Sequence, residues 1–325
     1  MRLFLAPMEG VVDHHFREIY SQIGGLDFCV TEFIRVNDLP LPARAILRNC
    51  PELETGSRTA SGLAVRVQLL GSNPETLAQT AQTAAKLGAC GIDLNFGCPA
   101  KTVNNSKGGA VLLQTPEVVE NIVHSVRAAV PDSIPVTAKI RLGFEDRSCY
   151  LDNALAVQSG GAAELCVHAR SKADGYKPPA YWHYIADINQ VLSIPVIANG
   201  EIWSVEDWRR CKEQSGSTDF MIGRGLLACP DLALQIRAES ENTQYTPLTW
   251  PEVVARIYQF YLETKDRYPQ RHLGNRAKQW LFYLQKHYPE AAGFFEQIKR
   301  YKEQHQFDAA FEAQGITLIK HAKQA

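Results

Sequence analysis

Along most of the chain, short runs of apolar residues alternate with longer segments in which apolar residues recur every three or four positions. Short apolar runs bounded by turn residues predict buried strands, and the longer periodic segments predict amphipathic helices. We predict eight strands on this basis. They cover residues 2–7, 28–33, 64–70, 91–97, 136–143, 163–170, 195–200 and 219–225.

Helix-start signals lie between several of these strands. Pro-Glu opens the segments 74–87 and 116–130, and a serine followed by acidic residues opens 204–214. Strands that alternate with helices predict parallel pairing. Eight such units in roughly 240 residues match the size of a (β/α)8 TIM barrel. The alternative is a doubly wound open sheet, but no GxGxxG motif follows the first strand.

The strand pattern stops near residue 246, where Pro247 and Pro251 predict a domain boundary. We predict a barrel over residues 1–245 and a small all-helical domain over 246–325, with helices near 251–265, 275–286 and 291–302. The last 80 residues carry 12 Lys and Arg against 8 Asp and Glu, although the whole chain has a net charge of −1. This basic segment favours a polyanion as its partner, and an ordinary solvated helical surface is the alternative.

The chain has 8 cysteines without a CxxC pair, and some of them lie within apolar strand-like runs. This usage favours reduced thiols over a disulfide framework. The apolar run at the first residues is too short for a signal peptide, and no run approaches the ~18–20 apolar residues of a membrane helix. We therefore expect a soluble, cytoplasmic protein.

The segment 93–100 carries the strongest chemical signal, and it reads DLNFGCPA. A buried strand ends there in a Gly-Cys-Pro turn, in which Pro99 restricts Cys98 to an extended backbone. Asn95 precedes the thiol by three residues, so one weak acid and one amide are aimed into a common pocket. The alternative is a buried cysteine in a tight turn.

Every predicted strand carries polar residues at its carboxyl end, where the active site of a TIM barrel lies. Lys139 and Gln68 are suited to hydrogen-bond the heteroatom edge of a flat ring. Glycines after the seventh and eighth strands allow backbone N–H groups to approach a phosphate, and Arg224 adds a cation. A phosphorylated cofactor or substrate is therefore expected at the barrel mouth, although each residue taken singly has a structural explanation.

The motifs that carry a family resemblance appear in order along essentially the whole chain. They are Ala6-Pro7-Met8, Val67-Gln68, Asn95-x-Gly97-Cys98-Pro99, Lys101, Lys139-x-Arg141, His168-x-Arg170, Asn199-Gly200-Glu201-Ile202 and Gly223-Arg224-Gly225. With them the chain resembles the tRNA-dihydrouridine synthases. Further motifs resemble the C-type bacterial subfamily, among them Met8-Glu9-Gly10-Val11, Thr31-Glu32-Phe33-x-Arg35 and Lys278-Gln279-Trp280-Leu281.

The resemblance implies an FMN-dependent oxidoreductase in which NADPH, or NADH, reduces the flavin. The flavin would deliver hydride to carbon 6 of a uracil in tRNA, and the thiol matching Cys98 would protonate carbon 5. An unperturbed thiol, with a pKa near ~8.5, remains protonated at neutral pH and can serve as that acid. The implied FMN-binding residues are Pro7, Met8, Glu9, Gln68, Lys139, His168, Asn199, Gly200, Glu201, Gly223 and Arg224.

The same resemblance implies tRNA as the partner, reduced at uridine 16 of the D-loop. The base must leave the stack to reach a flavin at the barrel mouth. The implied tRNA-binding residues are Arg35, Asn95, Arg170, Tyr176, Arg276, Lys278 and Lys299. We expect no metal, no membrane contact and no obligatory protein partner, with the chain acting as a monomer.

Three other functions stay open at this point. A flavin-dependent barrel dehydrogenase could act on a free pyrimidine, although such an enzyme needs no basic C-terminal domain. A Schiff-base aldolase could use Lys139 and would be colourless. A non-catalytic tRNA-binding module would bind tRNA without oxidising NADPH.

Overall fold

The computed structural model describes residues 1–318, so residues 319–325 of the predicted C-terminal domain lie outside the described residues. The described chain forms two compact units, which divide after Gly223. The first unit contains nine parallel strands. They are β1 (Leu3–Leu5), β2 (Phe28–Val30), β3 (Ile34–Arg35), β4 (Ala64–Leu70), β5 (Ile92–Asn95), β6 (Val136–Arg141), β7 (Glu164–His168), β8 (Val196–Asn199) and β9 (Asp219–Ile222).

Eight of these strands close into a barrel. The order β2-β1-β9-β8-β7-β6-β5-β4 is completed by a pairing of β2 with β4, and the two-residue β3 pairs with the end of β4. The predicted TIM barrel is therefore confirmed, and the open doubly wound sheet is excluded. All eight predicted strands are found. β4 has the predicted bounds, and the other seven are shorter because their ends pass into loops.

Helices join the strands in the way that parallel pairing requires. The three that were predicted from start signals are found at Pro74–Lys86, Pro116–Ala129 and Val205–Ser215, the last capped by Ser204. The helices of the first unit are α1 (His14–Ile23), α2 (Ala43–Asn49), α3 (Pro74–Lys86), α4 (Lys101–Asn105), α5 (Pro116–Ala129), α6 (Tyr150–Ser159), α7 (His183–Val191) and α8 (Val205–Ser215), with 3-10 turns at Pro51–Thr55 and Gly109–Gln114.

The second unit is helical throughout its described part, apart from connecting segments. Its elements are α9 (Arg224–Ala228), α10 (Leu232–Glu241), α11 (Trp250–Thr264), a 3-10 turn (Gln270–His272), α12 (Asn275–Leu284), α13 (Pro289–Ile298) and α14 (Gln304–Ala313). The unit thus includes α9 and α10, which precede the predicted boundary at 245/246. One face of α12 is apolar and buried, since Ala277, Trp280, Leu281 and Leu284 are at most 1 % exposed.

Side chains fill the barrel in layers along the strand direction. Near the amino-terminal ends, Arg2 and Arg66 form ion pairs with Glu164, and Arg2 also pairs with Asp219. A middle apolar layer contains Phe4, Ala6, Val30, Cys166, Ile197 and Met221. Side chains that face the interior recur with period two, and two positions beyond Val30, Cys166 and Ile197 lie the polar residues Glu32, His168 and Asn199. The carboxyl end of the barrel is therefore lined by hydrogen-bonding groups.

Candidate active site

The turn after β5 holds Cys98 through two asparagines. Asn95 Oδ1 accepts hydrogen bonds from the backbone N–H groups of Gly97 and Cys98, each at 2.9 Å. On the other side, Asn104 Nδ2 donates to the carbonyls of Cys98 at 3.1 Å and Ala100 at 2.8 Å. Both the N–H and the carbonyl of Cys98 are therefore hydrogen-bonded, and the thiol has a defined position at the end of the strand.

Gly109 lets the following 3-10 turn pack directly against Cys98. Its φ of +69° lies in the left-handed region, and a Cβ at this position would lie 2.8 Å from the Cys98 carbonyl oxygen. The N–H of Ala110 donates to that carbonyl at 3.1 Å. A side chain at residue 109 would displace the turn that carries the thiol.

The Cys98 thiol differs from most other thiols of the chain. Five cysteines are buried, whereas Cys98 is half-buried at a strand end. Desolvation raises the pKa of Cys98 above its reference value of 9.0, and the Ala100 N–H and the charges of Arg141 and Arg35 oppose this shift only in part. The thiol is protonated at neutral pH and can donate a proton.

A row of buried amides connects this turn to the barrel interior. Asn95 Nδ2 donates to Gln68 Oε1 at 2.8 Å, and Gln68 Nε2 donates to Asp93 Oδ2 at 2.7 Å. The other Asp93 oxygen accepts from Thr137 Oγ1 at 2.6 Å. Sequence reasoning did not assign Asp93 or Thr137 to the site. The available signal was Asp93 itself, a charged residue within the apolar run 91–94 and without a residue of opposite charge nearby in the sequence.

Lys139 and Asn199 approach each other across β7. Lys139 is in register with Cys166 on β7, and its Nζ extends past that small side chain to donate to Asn199 Oδ1 at 2.9 Å. Asn199 Nδ2 in turn donates to the Met221 carbonyl at 2.7 Å. Burial lowers the pKa of Lys139, and the charge of Arg141 adds to this effect. An ammonium has three donors, so Lys139 can bind a further acceptor.

Arg141 connects the cysteine turn with the loop after β7. Its Nε donates to the Gly97 carbonyl at 2.8 Å, and its Nη1 donates to the carbonyls of Ser171 and Gly175, each at 3.0 Å. The guanidinium lies 5.2 Å from the ring centroid of Tyr176, whose side chain is 53 % exposed. An exposed aromatic ring on a braced loop can stack on a planar ligand.

His168 and Arg170, two further predicted site residues, lie at and just after the end of β7. His168 meets the edge of the Tyr176 ring at a centroid distance of 6.2 Å and is 8 % exposed. Arg170 is fully buried, where its Nη2 pairs with Glu201 Oε2 at 3.0 Å and its Nε donates to the Pro179 carbonyl at 3.0 Å. The prediction that Arg170 contacts tRNA therefore requires this ion pair to separate.

The glycine loops are present at the ends of β8 and β9. Gly200 has a φ of +117°, a conformation that residues with side chains rarely adopt, and its carbonyl accepts from Trp182 Nε1 at 2.9 Å. At Gly223 a Cβ would stand 3.4 Å from Met8 Sδ. Pro7 and Met8 follow β1 and are half-buried, and Glu9 is exposed. Partial desolvation, together with the nearby charge of Glu32, raises the pKa of Glu9.

The remaining predicted residues are divided between the two units. Arg35 lies on β3, where its Nη2 donates to the Thr102 carbonyl at 3.4 Å. Arg224 is the first residue of α9 in the second unit. Lys278 Nζ donates to the Tyr301 carbonyl at 2.7 Å, Lys299 pairs with Glu296, and Arg276 donates to Gln279 and lies 5.6 Å from the Phe260 ring centroid. These three residues therefore also stabilise the helices that carry them.

Metal-binding groups and membrane-spanning helices are both absent from the described residues. In residues 1–318, no group of three or more His, Cys, Asp or Glu side chains is placed to hold a metal ion. No helix within the described part of the chain is long and apolar enough to cross a bilayer.

Comparison with known proteins decides the family. The family model described as Dihydrouridine synthase (Dus) matches residues 4–322. The chain belongs to the dihydrouridine synthase family. Several curated members of the family are similar to it over nearly its whole length. One from Pseudomonas putida is 51% identical over 92% of this chain and 93% of its own, and one from Ralstonia nicotianae is 47% identical over 99% and 96%. Both are named tRNA-dihydrouridine(16) synthase.

Solved structures share the barrel at much lower identity. The old yellow enzyme homologue from Zymomonas mobilis superposes with a TM-score of 0.50 at 14% identity, covering 77% of this chain and 91% of its own. A 2-naphthoyl-CoA reductase gives a TM-score of 0.57 at 11% identity, covering 86% of this chain and 56% of its own. These similarities concern the barrel fold alone.

Proposed function

We propose that this chain is an oxidoreductase that reduces a uridine of tRNA to 5,6-dihydrouridine. The observation that carries the proposal is the Cys98 thiol, held at the end of a barrel strand beside a row of buried amides, in a member of the dihydrouridine synthase family. The relatives named tRNA-dihydrouridine(16) synthase support uridine 16 as the target.

The residues at the barrel mouth fit a flavin mononucleotide. Gln68, Lys139 and Asn199 place hydrogen-bonding groups on three alternate strands, β4, β6 and β8, as the polar edge of a flat ring system requires. Gly200 keeps the backbone free of a side chain where a phosphate would approach. Bound there, the flavin would supply the hydride for carbon 6 of the uracil. NADPH is proposed as the reductant.

The chain's own residues perform the acid step and the positioning. Cys98 donates the Sγ proton to carbon 5 of the uracil while hydride arrives at carbon 6, so the double bond becomes a single bond and the thiolate is reprotonated from solvent. Asn95 and Asn104 hold the turn that aims the thiol. Tyr176, braced by Arg141, offers a ring for stacking of the extruded nucleotide.

The helical second unit is proposed to bind the tRNA backbone. Its basic residues Arg276, Lys278 and Lys299 lie on α12 and at the end of α13, and each is at least partly exposed. Contacts of Lys and Arg with phosphates are weakened by salt, because binding releases condensed counterions. We therefore expect the affinity for tRNA to fall steeply as salt concentration rises.

Mass spectrometry of tRNA tests the proposal directly. Unmodified tRNA incubated with the purified protein and NADPH should gain two hydrogens at one uridine, and nuclease mapping should place that uridine at position 16. The protein should be yellow, with flavin absorbance. Reduction of free uridine at the same rate as tRNA would instead identify an enzyme for a free pyrimidine. Tight tRNA binding without NADPH oxidation would identify a non-catalytic binding module.

A further inference from the structure

Hydrogen bonds link the turn that carries Cys98 to Asn95, Gln68 and Asp93 in series. In each of these bonds, chemistry fixes which partner donates and which accepts. The outer end of the series is the pair of backbone N–H groups of Gly97 and Cys98, which can only donate. The side-chain atom of Asn95 that faces them must therefore be the oxygen. The amide nitrogen of Asn95 then faces Gln68 at 2.8 Å, so Gln68 must present its own oxygen to Asn95.

At the inner end of the series, the carboxylate of Asp93 accepts the last hydrogen bond. Because Gln68 shows its oxygen to Asn95, its Nε2 faces Asp93 Oδ2 at 2.7 Å. All three side chains are buried, with exposed fractions of 0 % for Gln68, 3 % for Asp93 and 9 % for Asn95. An amide N–H without an acceptor at that depth would be costly, since no bulk water is available to replace one.

We propose that Asp93 is a positioning residue that orients Gln68 and Asn95 and thereby holds the N–H groups of the turn that aims Cys98. Only the expected effect of Asp93 on turnover rests on the proposed function. Asp93 acts through two intervening amides and is not assigned any contact with a substrate or cofactor. What it supplies is a hydrogen-bond acceptor at the inner end of the row.

Substitutions at Asp93 separate the acceptor from the charge. Asp93→Asn keeps an oxygen for Gln68 Nε2 and turns its new amide to Thr137 Oγ1, which can accept. Asp93→Leu has a similar size and offers no acceptor. If the negative charge mattered through Lys139 or Arg66, the asparagine variant would be as defective as the leucine variant.

Amide hydrogen exchange at Gly97 and Cys98, measured with residue resolution, tests the proposal without any cofactor. In Asp93→Leu we expect the exchange of these two amides to accelerate by about tenfold, because their acceptor is no longer held in place. In Asp93→Asn we expect exchange within about twofold of the unsubstituted protein. Amides of β8 serve as the internal reference for global opening.

Thr137→Val is the matched control, since it disturbs the same buried carboxylate from its other side. It removes the donor to Asp93 Oδ1 and leaves the bond to Gln68 in place. We expect unchanged exchange at Gly97 and Cys98 in this variant. Two results would overturn the proposal: exchange accelerated equally in Asp93→Asn and Asp93→Leu, or no local acceleration in Asp93→Leu. If Asp93→Leu does not fold, accelerated exchange in Asp93→Asn still contradicts the proposal, and Asp93→Ala replaces it as the variant without an acceptor.

Turnover of tRNA adds a readout that a purely structural role would not change in this pattern. Asp93→Leu should lower kcat about tenfold with little change in KM for tRNA, and Asp93→Asn should restore it. The two proposals fail in different ways. If the exchange pattern holds and the unsubstituted protein reduces no uridine, the proposed function fails and the role of Asp93 stands.

Discussion

The two ends of the barrel use polar residues in opposite ways. At the amino-terminal end, Arg2 and Arg66 both pair with Glu164, and Arg2 also bonds to Asp219 with an Nε–Oδ2 distance of 2.9 Å. The Arg66 guanidinium also lies 4.6 Å from the Phe28 ring centroid. At the carboxyl end Arg170 also pairs with Glu201, but Lys139 donates to a neutral amide, and Gln68 and Asn95 bond to each other.

This difference separates a polar cluster that stabilises the fold from one that we propose serves the chemistry. Opposite charges that pair with each other have little capacity left for a ligand. Amides and an ammonium that bond to one another retain further hydrogens for a bound molecule. One strand can supply both ends, since Arg66 and Gln68 lie two positions apart on β4. Variants at one end should therefore change stability, and variants at the other should change activity.

Cys98→Ala should have the largest effect. We expect formation of dihydrouridine to fall by about 10²–10⁴-fold because the proton donor is lost, with flavin content and thermal stability retained. Mass spectrometry of the tRNA measures the product. Cys149→Ala, at another half-buried cysteine, is the control and should retain activity. An undiminished yield from Cys98→Ala would remove the thiol from the acid role.

Arg66→Met tests the opposite end. Removing one partner of a buried ion pair leaves Glu164 without one of its two cations, and we expect a loss of about 3–5 kcal/mol in the free energy of unfolding. Urea unfolding followed by circular dichroism measures it. Arg209→Met breaks an exposed pair with Glu206 and should cost less than about 1 kcal/mol. Equal losses in the two variants would refute the assigned role of the amino-terminal cluster.

Gly109→Ala and Gly216→Ala form a matched pair. Both glycines have a positive φ, +69° and +66°, so alanine should cost each about 1–2 kcal/mol in stability. Only the Cβ at 109 would press on the Cys98 carbonyl; nothing lies within 4 Å of one at 216. Turnover should therefore fall by about tenfold or more in Gly109→Ala and remain normal in Gly216→Ala. Equal turnover in the two variants would contradict the positioning of Cys98 by this turn.

The pH dependence of stability should show the smallest effect. Burial would raise the pKa of Glu164, but hydrogen bonds and ion pairs with Arg66 and Arg2 hold it below its reference value of 4.5. Its stabilising contribution is therefore present above pH 4.5 and is lost as pH falls below that value, through its lower pKa in the folded state. Thermal unfolding from about pH 6 to about pH 3 should show Glu164→Gln approaching the unsubstituted protein as the acid is titrated. A constant gap in Tm across this range would count against the ion pairs as its cause.

Much of the site could be predicted because its residues follow strands that periodicity reveals. Asn95, Lys139 and Asn199 lie within predicted strands and Cys98 directly follows one, and the structure brings these strands into one barrel. Asp93 was missed because its partners Gln68 and Thr137 lie on neighbouring strands, 25 and 44 residues away in the chain. No local pattern shows that a buried carboxylate will find such donors.

By itself, the sequence determined the alternation of strands and helices, the eight strand positions and the Gly-Cys-Pro turn, because each depends on local periodicity and backbone restriction. The tertiary structure decided which polar residues bond to which. Pairing of β4 with β5 makes Asp93 the acceptor for Gln68, and pairing of β7 with β8 brings Glu201 to Arg170. Closure of β2 on β4 then brings the strand ends to one mouth. Contacts across a closed sheet depend on register between strands, which no single segment encodes.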